Sequence, residues 1–361
     1  MHPYARRHRS ALVAGLALSL ALTVTSCAKS EDDGAKPAGA AGSGGEQAVE
    51  GPSAGSKAGC TLDAYGAGKL DLKKATVGFS QSEKEANPFR IAETASIKAE
   101  AEKRGIRLLA ANAQSQFSKQ ISDVQDLIAK GVDLLVIAPL NSDGWDPVLS
   151  AAAARHIPVV TIDRKINAKP CKDYVSFIGS DFVAQGERAA DRMIEATGGK
   201  GEVAILLGAA GNNVTTERTK GFKDRIRAKA PKLKVVFQQT GDFAREKGQQ
   251  VTEQLIQSRP GIDGIYAEND EMGLGAVNAL KGAGKKPGAV KIVTVDGTRS
   301  AVQGIIDGWI DGVIESNPRF GPLAFATLDA FTRGKKVSQD IVIRDSAYTD
   351  ANAEADLGKA F

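Results

Sequence analysis

From Ala75 onward the chain alternates between β-branched runs of about five residues and stretches whose apolar residues recur every three or four. Neighbouring parallel strands need helical crossovers rather than tight hairpins, so this alternation confines the chain to α/β architectures. Strands are predicted at 75–80, 106–110, 133–138, 158–162 and 174–178. Phe117, Ile121, Val124 and Ile128 share one face of an intervening helix, and Gly105 and Gly131 stand where helices would end. The rhythm restarts after Asp181, with strands near 202–207, 234–238, 264–267, 290–295 and 312–315. The prediction is α/β with two doubly wound parallel-sheet lobes. A helix opened by Asn317 and Pro318 and running to about Gly334, then a strand near 341–343, are left over, so the chain must recross between lobes. This assigns 71–180 plus 316–336 to an N-terminal lobe and 181–315 plus 337–361 to a C-terminal lobe. The multi-crossing hinge is expected near Ser180, Glu315 and Val337.

In such sheets ligands sit outside the carboxyl ends of the strands. Three runs deliver polar groups there: VVTIDR ends in Asp163 and Arg164, GIYAEND leads into Asn269, and IVTVDGT reaches Asp296. Aromatics are only 5% of the chain, so the core must be aliphatic.

The chain opens with Arg6, Arg7 and Arg9 ahead of an apolar run, Ala11 to Val24, too short to span a bilayer. These read as a secretory signal over 1–27. It ends Val24-Thr25-Ser26-Cys27, which resembles a lipobox, with Cys27 as the lipidated residue after cleavage. Residues 28–70 are assigned to a flexible tether, most of it Gly, Ala, Ser, Pro and charge without periodicity. Gly51-Pro52-Ser53-Ala54-Gly55 matches GxSxG but has neither the strand-to-helix elbow nor a histidine partner that motif requires. With Cys27 lipidated, Cys60 and Cys171 remain as an even pair, and an oxidising exterior suggests a disulfide, two free thiols being the alternative.

The formal charge of +4 falls to 44 basic against 43 acidic residues once Arg6, Arg7 and Arg9 are removed with the signal. That balance offers no electrostatic footprint for nucleic acid. Of three histidines only His156 lies beyond the signal, which excludes histidine metal clusters and Ser-His-Asp triads.

Taken in order, VGFSQSEKEANPFRIAET, GWDPVL, VVTIDR, FIGSDFVAQG, GDFAREKG, YAENDEMGLGA, VTVDGT and ESNPRFGPLAF resemble the periplasmic sugar-binding proteins of ABC importers. These have the ribose-binding, LacI-like fold of type I periplasmic binding proteins, and the resemblance extends in particular to the galactofuranose-binding members. The resemblance spans roughly 75–335. It implies that Phe89 and Arg90 touch the ligand beside the first strand, the aromatic face lying on sugar C–H groups and the guanidinium donating to hydroxyls. Phe89 stands where many relatives carry tryptophan. By the same pattern Asp163, Arg164, Arg218, Asn269, Asp296 and Asn317 complete the ligand set. Gln81 and Glu93 are candidate lining residues, Trp145 is expected to be structural, and Asp143 is expected to cap its helix.

The resemblance implies an extracytoplasmic, lipid-anchored, monomeric receptor. It would take a monosaccharide, a furanose such as galactofuranose, and deliver it to an ABC permease complex without cofactor or metal. Three other readings stay open. A receptor for a signalling membrane partner would use the same site. A glycosidase would need Asp163 and Asp296 as paired carboxylates, but Arg164 beside Asp163 would keep that acid ionised. A sugar-responsive repressor would carry a DNA-binding segment where this chain has its signal and tether.

Overall fold

A computed structural model describes residues 49–50 and 59–361; the predicted signal and Cys27 lie outside the described residues. Val49–Glu50 (β1) and Gly59–Cys60 (β2) come first, then a short helix Leu62–Tyr65 (α1). The first repeating unit runs Thr76–Gln81 (β3), Pro88–Arg104 (α2), Arg107–Asn112 (β4), Phe117–Ala129 (α3), Leu134–Ile137 (β5), Asp146–Ala154 (α4), Val159–Ile162 (β6) and Ser176–Ser180 (β7). The second runs Phe182–Thr197 (α5), Lys200–Leu207 (β8), Asn213–Lys229 (α6), Lys232–Thr240 (β9), Arg245–Ser258 (α7), Gly264–Ala267 (β10), Asp270–Gly282 (α8), Lys291–Asp296 (β11), Arg299–Ile306 (α9) and Gly312–Glu315 (β12). The chain ends with Gly321–Thr332 (α10), Val337–Ser338 (β13), Asp340–Ile343 (β14), Ala347–Tyr348 (β15) and Ala353–Asp356 (α11).

The two large sheets have the orders β1-β14-β7-β6-β5-β3-β4 and β15-β12-β11-β10-β8-β9. Numbered within each unit, the five main strands of both follow the order 2-1-3-4-5, with all pairings among them parallel. This doubly wound topology switches direction between β3 and β5 in one lobe and between β8 and β10 in the other. The central strands are buried end to end, as Leu134–Ile137, Val159–Ile162 and Gly264–Ala267 show, because helices cover both faces.

Three passages cross between lobes: after β7, after β12, and at 344–346 between β14 and β15. The last corrects the predicted boundary. Asp340–Ile343 pairs in parallel with Phe177–Ser180, so 337–343 belongs with the N-terminal lobe and the third crossing lies beyond Val337. The tether also ends earlier than 70. Gly59–Cys60 pairs with Val337–Ser338, Leu62 is buried in the N-terminal core, and the backbone of Val49–Glu50 pairs with β14. Cys60 and Cys171 are joined by a disulfide (S–S 2.12 Å, Cα–Cα 5.1 Å) that pins this entry strand to the β6–β7 connection.

Gly186 on α5 and Gly221 on α6 let these helices pack backbone to backbone. A Cβ at Gly186 would lie 2.2 Å from the carbonyl oxygen of Arg218, and one at Gly221 would lie 2.1 Å from that of Val183. The close approach fixes α6, and with it Arg218, against the strand ends.

Candidate functional site

The carboxyl ends of both sheets face one cavity, the place where ligands sit in such sheets. Its lining comes from both lobes: Glu83, Asn87, Phe89, Arg90, Asp163 and Arg164 from the first, and Val214, Arg218, Phe243, Asn269 and Asp296 from the second. Three carboxylates therefore face three guanidiniums.

The N-terminal wall is built around Arg90. Asn87 caps α2 by accepting from the Phe89 amide (2.9 Å), and Pro88 occupies the first turn, where its missing N–H costs nothing. That start sets Phe89 and Arg90 at the cavity edge. Arg90 Nη1 donates to Asp163 Oδ2 (2.7 Å) and Glu93 Oε2 (2.8 Å), and its Nε donates to Glu83 Oε2 (3.2 Å). Arg164 Nη2 donates to Glu83 Oε1 (2.6 Å) and Nη1 to the Leu140 carbonyl (3.2 Å), whereas its buried Nε has no hydrogen-bond partner among the described residues and stands 3.6 Å from Asp163 Oδ2. Burial works to raise the Glu83 pKa, but the guanidiniums of Arg164 and Arg90 overcome it and hold the group at about 2. Glu93, deeper behind Arg90, goes the other way: burial, helped by the Asp163 charge and opposed by Arg90, lifts it to about 7.

The C-terminal wall is looser. Arg218 donates from Nε to Gln185 (2.9 Å) and from Nη1 to the Glu268 carbonyl, and its Nη2 stands 3.8 Å from Asp296 Oδ1. Asp296 is pushed well above the usual carboxylate range by burial and then by the Asp270 charge, against Arg218. Burial likewise raises Glu268 to about 7, although it accepts from the Gly208 amide and from Thr219. Asn269 caps α8 through the Met272 amide (3.0 Å) and donates to the Phe243 carbonyl (3.2 Å). Asp163 (φ 64°), Asp296 (φ 143°) and Phe243 (φ 59°) all have positive φ; such strain concentrates at ligand sites because the surrounding structure must hold it.

The lobes also touch around the cavity. The Ser142 amide donates to the Gly211 carbonyl (2.9 Å), the Lys165 amide donates to Asn213 Oδ1 (3.0 Å), and the Arg164 guanidinium lies 5.7 Å from the Phe243 ring centroid. A path of hydrogen bonds links the hinge to the cavity, Gln185 donating to Asp345 (2.7 Å) and accepting from Arg218. Asp345 lies in the third crossing, which explains how the C-terminal segment reaches the site.

Seven of the eight ligand residues expected from sequence line this one cavity: Phe89, Arg90, Asp163, Arg164, Arg218, Asn269 and Asp296. Asn317 does not. Its Oδ1 accepts from the Arg319 amide (3.0 Å) in a local turn ahead of α10. Gln81 and Glu93 stand behind the wall, Gln81 donating to Glu93 (2.8 Å). Trp145, not Asp143, occupies the α4 N-cap position, with no side-chain cap bond. Asp143 instead accepts from Asn167 (2.7 Å), while Trp145 packs edge-on against Phe117 and donates to the Asn141 carbonyl (2.8 Å). Glu83, Asn87, Val214 and Phe243 were not anticipated. The Asn-Pro pair at 87–88 was a readable helix start, Glu83 lay inside VGFSQSEKEANPFRIAET just past the first strand, and Phe243 lay inside GDFAREKG.

Acids already matched by guanidiniums on opposed walls of a hinged cleft define a two-lobed solute-binding protein. The chain belongs to the periplasmic binding protein domain family, which matches residues 77–336; its members bind solutes and are not enzymes. The galactofuranose-binding protein of Escherichia coli (strain K12) is 36% identical over 290 residues, covering 79% of this chain and 91% of that protein. The ribose import binding protein of Bacillus subtilis (strain 168) is 37% identical over 270 residues, covering 74% and 85%. Among solved structures, the periplasmic binding component of the arabinose ABC transporter from Shewanella sp. ANA-3, bound to α- and β-L-arabinofuranose, superposes with a TM-score of 0.76. It is 38% identical and covers 79% of this chain and 95% of its own.

Proposed function

We propose that this chain captures a neutral monosaccharide, a furanose such as galactofuranose, between its lobes and delivers it to an ABC permease while anchored outside the cell membrane through a lipid on Cys27. The observation that carries the sugar reading is the set of three carboxyl groups and three guanidiniums, drawn from both lobes, around one cavity. Acids and guanidiniums side by side accept from and donate to neighbouring hydroxyls, which each do both. Charged hydrogen bonds contribute roughly 1.5–3 kcal/mol each, and a micromolar dissociation constant requires about 8 kcal/mol. A few such contacts suffice after ordering costs. Relatives named for galactofuranose and for an arabinofuranose complex support the ring form.

Binding that bridges both walls favours the closed arrangement, because only there does the ligand meet both sets of groups. Residues 59–361 should be titrated calorimetrically with pentoses, hexoses and furanosides. One-to-one binding of a neutral sugar, with a furanoside ahead of its pyranose isomer, is the expected result; binding of sugar acids alone would overturn the reading. The anchor is tested separately, by membrane release on Cys27→Ser.

A further inference from the structure

Resting on the neutral-sugar reading of the cavity, we propose that Glu83 is a specificity-determining residue: its carboxylate is a built-in counter-anion that takes one donor from each of two cavity guanidiniums and sets its charge against an anionic carbohydrate there, while leaving lone pairs for a neutral hydroxyl. A ligand carboxylate is recognised most strongly by guanidinium donors presented side by side. The N-terminal wall holds two such groups, Arg90 and Arg164, with side chains only 4% and 2% accessible. Glu83 spans them, Oε1 on Arg164 (2.6 Å) and Oε2 on Arg90 (3.2 Å). Its own side chain is more accessible, at 15%, and lines the cavity.

The loop that carries Glu83 is held independently of those arginines. Asn112 Nδ2 donates to the Glu83 carbonyl (2.9 Å), and the Ser115 amide donates to that of Ser82 (3.1 Å). The carboxylate therefore stays at the wall whichever ligand arrives. A bound anion would have to displace it or lie against its charge, and building repulsion against the wrong ligand is a general route to discrimination. A neutral hydroxyl meets no such cost and donates to a free lone pair of the same carboxylate.

The test uses the neutral sugar bound by the wild-type chain, with D-galacturonate as the anionic probe, both by calorimetry. Glu83→Gln keeps the shape and removes the charge; Glu83→Ala removes the side chain, and thermal melting by circular dichroism establishes that each variant folds. The proposal expects galacturonate binding to rise by at least about tenfold in both variants and to weaken again with added salt, while the neutral sugar loses affinity. Folded variants that still reject galacturonate as the wild type does, with neutral-sugar affinity unchanged, overturn it and leave Glu83 a structural ion-pair partner. A wild-type chain that binds no neutral sugar sinks the parent reading instead, so the two failures are distinct.

Discussion

The two walls of the cleft share a topology but not an electrostatic state. In each lobe an aspartate with positive φ closes the fourth strand, Asp163 after Val159–Ile162 and Asp296 at the end of Lys291–Asp296. Asp163 sits 2.7 Å from Arg90, in a web that also ties in Glu83, Glu93 and Arg164. Asp296 is 3.8 Å from Arg218 and is driven toward its protonated form by burial. The N-terminal wall is thus charged and organised, and the C-terminal wall is a buried acid with a distant partner. One fold can supply either condition, and what differs is how many guanidiniums reach the strand ends.

Arg90→Ala attacks this contrast most strongly. It strips the shared partner from Glu83, Glu93 and Asp163, and breaking buried pairs of this kind costs about 3–5 kcal/mol. Urea unfolding should show that loss, and calorimetry should show ligand binding abolished. Arg218→Ala should cost less stability, about 1–3 kcal/mol for the unsatisfied groups it leaves, since Asp296 is already inclined to hold a proton. Equal losses would erase the distinction between the walls.

Cross-linking also separates the lobes. The Cys60–Cys171 bridge, with a sequence separation of 111, lies within the N-terminal lobe. Removing a native disulfide commonly costs about 2–5 kcal/mol. Cys60→Ser with Cys171→Ser should increase hydrogen exchange in the N-terminal sheet more than in Lys200–Leu207 or Gly264–Ala267; uniform loosening would contradict a lobe-specific role.

The acids predict opposite limbs of a pH profile. Glu83, held at about 2 against an ordinary 4.5, contributes stability above 4.5 that is lost as pH falls toward 2. Glu268, raised to about 7, contributes below 4.5 and loses that contribution as pH rises through 7, because the unfolded chain releases its proton first. Glu93 adds to the second limb from behind the N-terminal wall. Urea unfolding between pH 3 and 8 should therefore show Glu83→Gln flattening the acid limb and Glu268→Gln flattening part of the neutral one. The smallest effect belongs to the rim: Asn213→Ala removes the bond from the Lys165 amide and should weaken binding by about 1 kcal/mol.

What was readable in the sequence follows the range of the interactions. Strand positions and their polar ends were legible because periodicity and the strand-end rule are local, so Asp163, Asn269 and Asp296 could be named before their neighbours were known. Sheet membership of Asp340–Ile343 was not, since it is decided by pairing with Phe177–Ser180, far away in the chain. Leu62 looked like tether because its partners belong to the distant core, which includes Leu328 and Phe331. Glu83 stood just past the first strand, but its pairing was not legible for the same reason: Arg164 is 81 residues on.

The most direct test of a cleft that shuts on a sugar is small-angle X-ray scattering of residues 59–361, alone and saturated with the neutral sugar found by calorimetry. A smaller radius of gyration is expected with sugar, and no such compaction in Arg218→Ala, which removes a contact of the C-terminal lobe. An unchanged radius at proven saturation of the wild-type chain would contradict it.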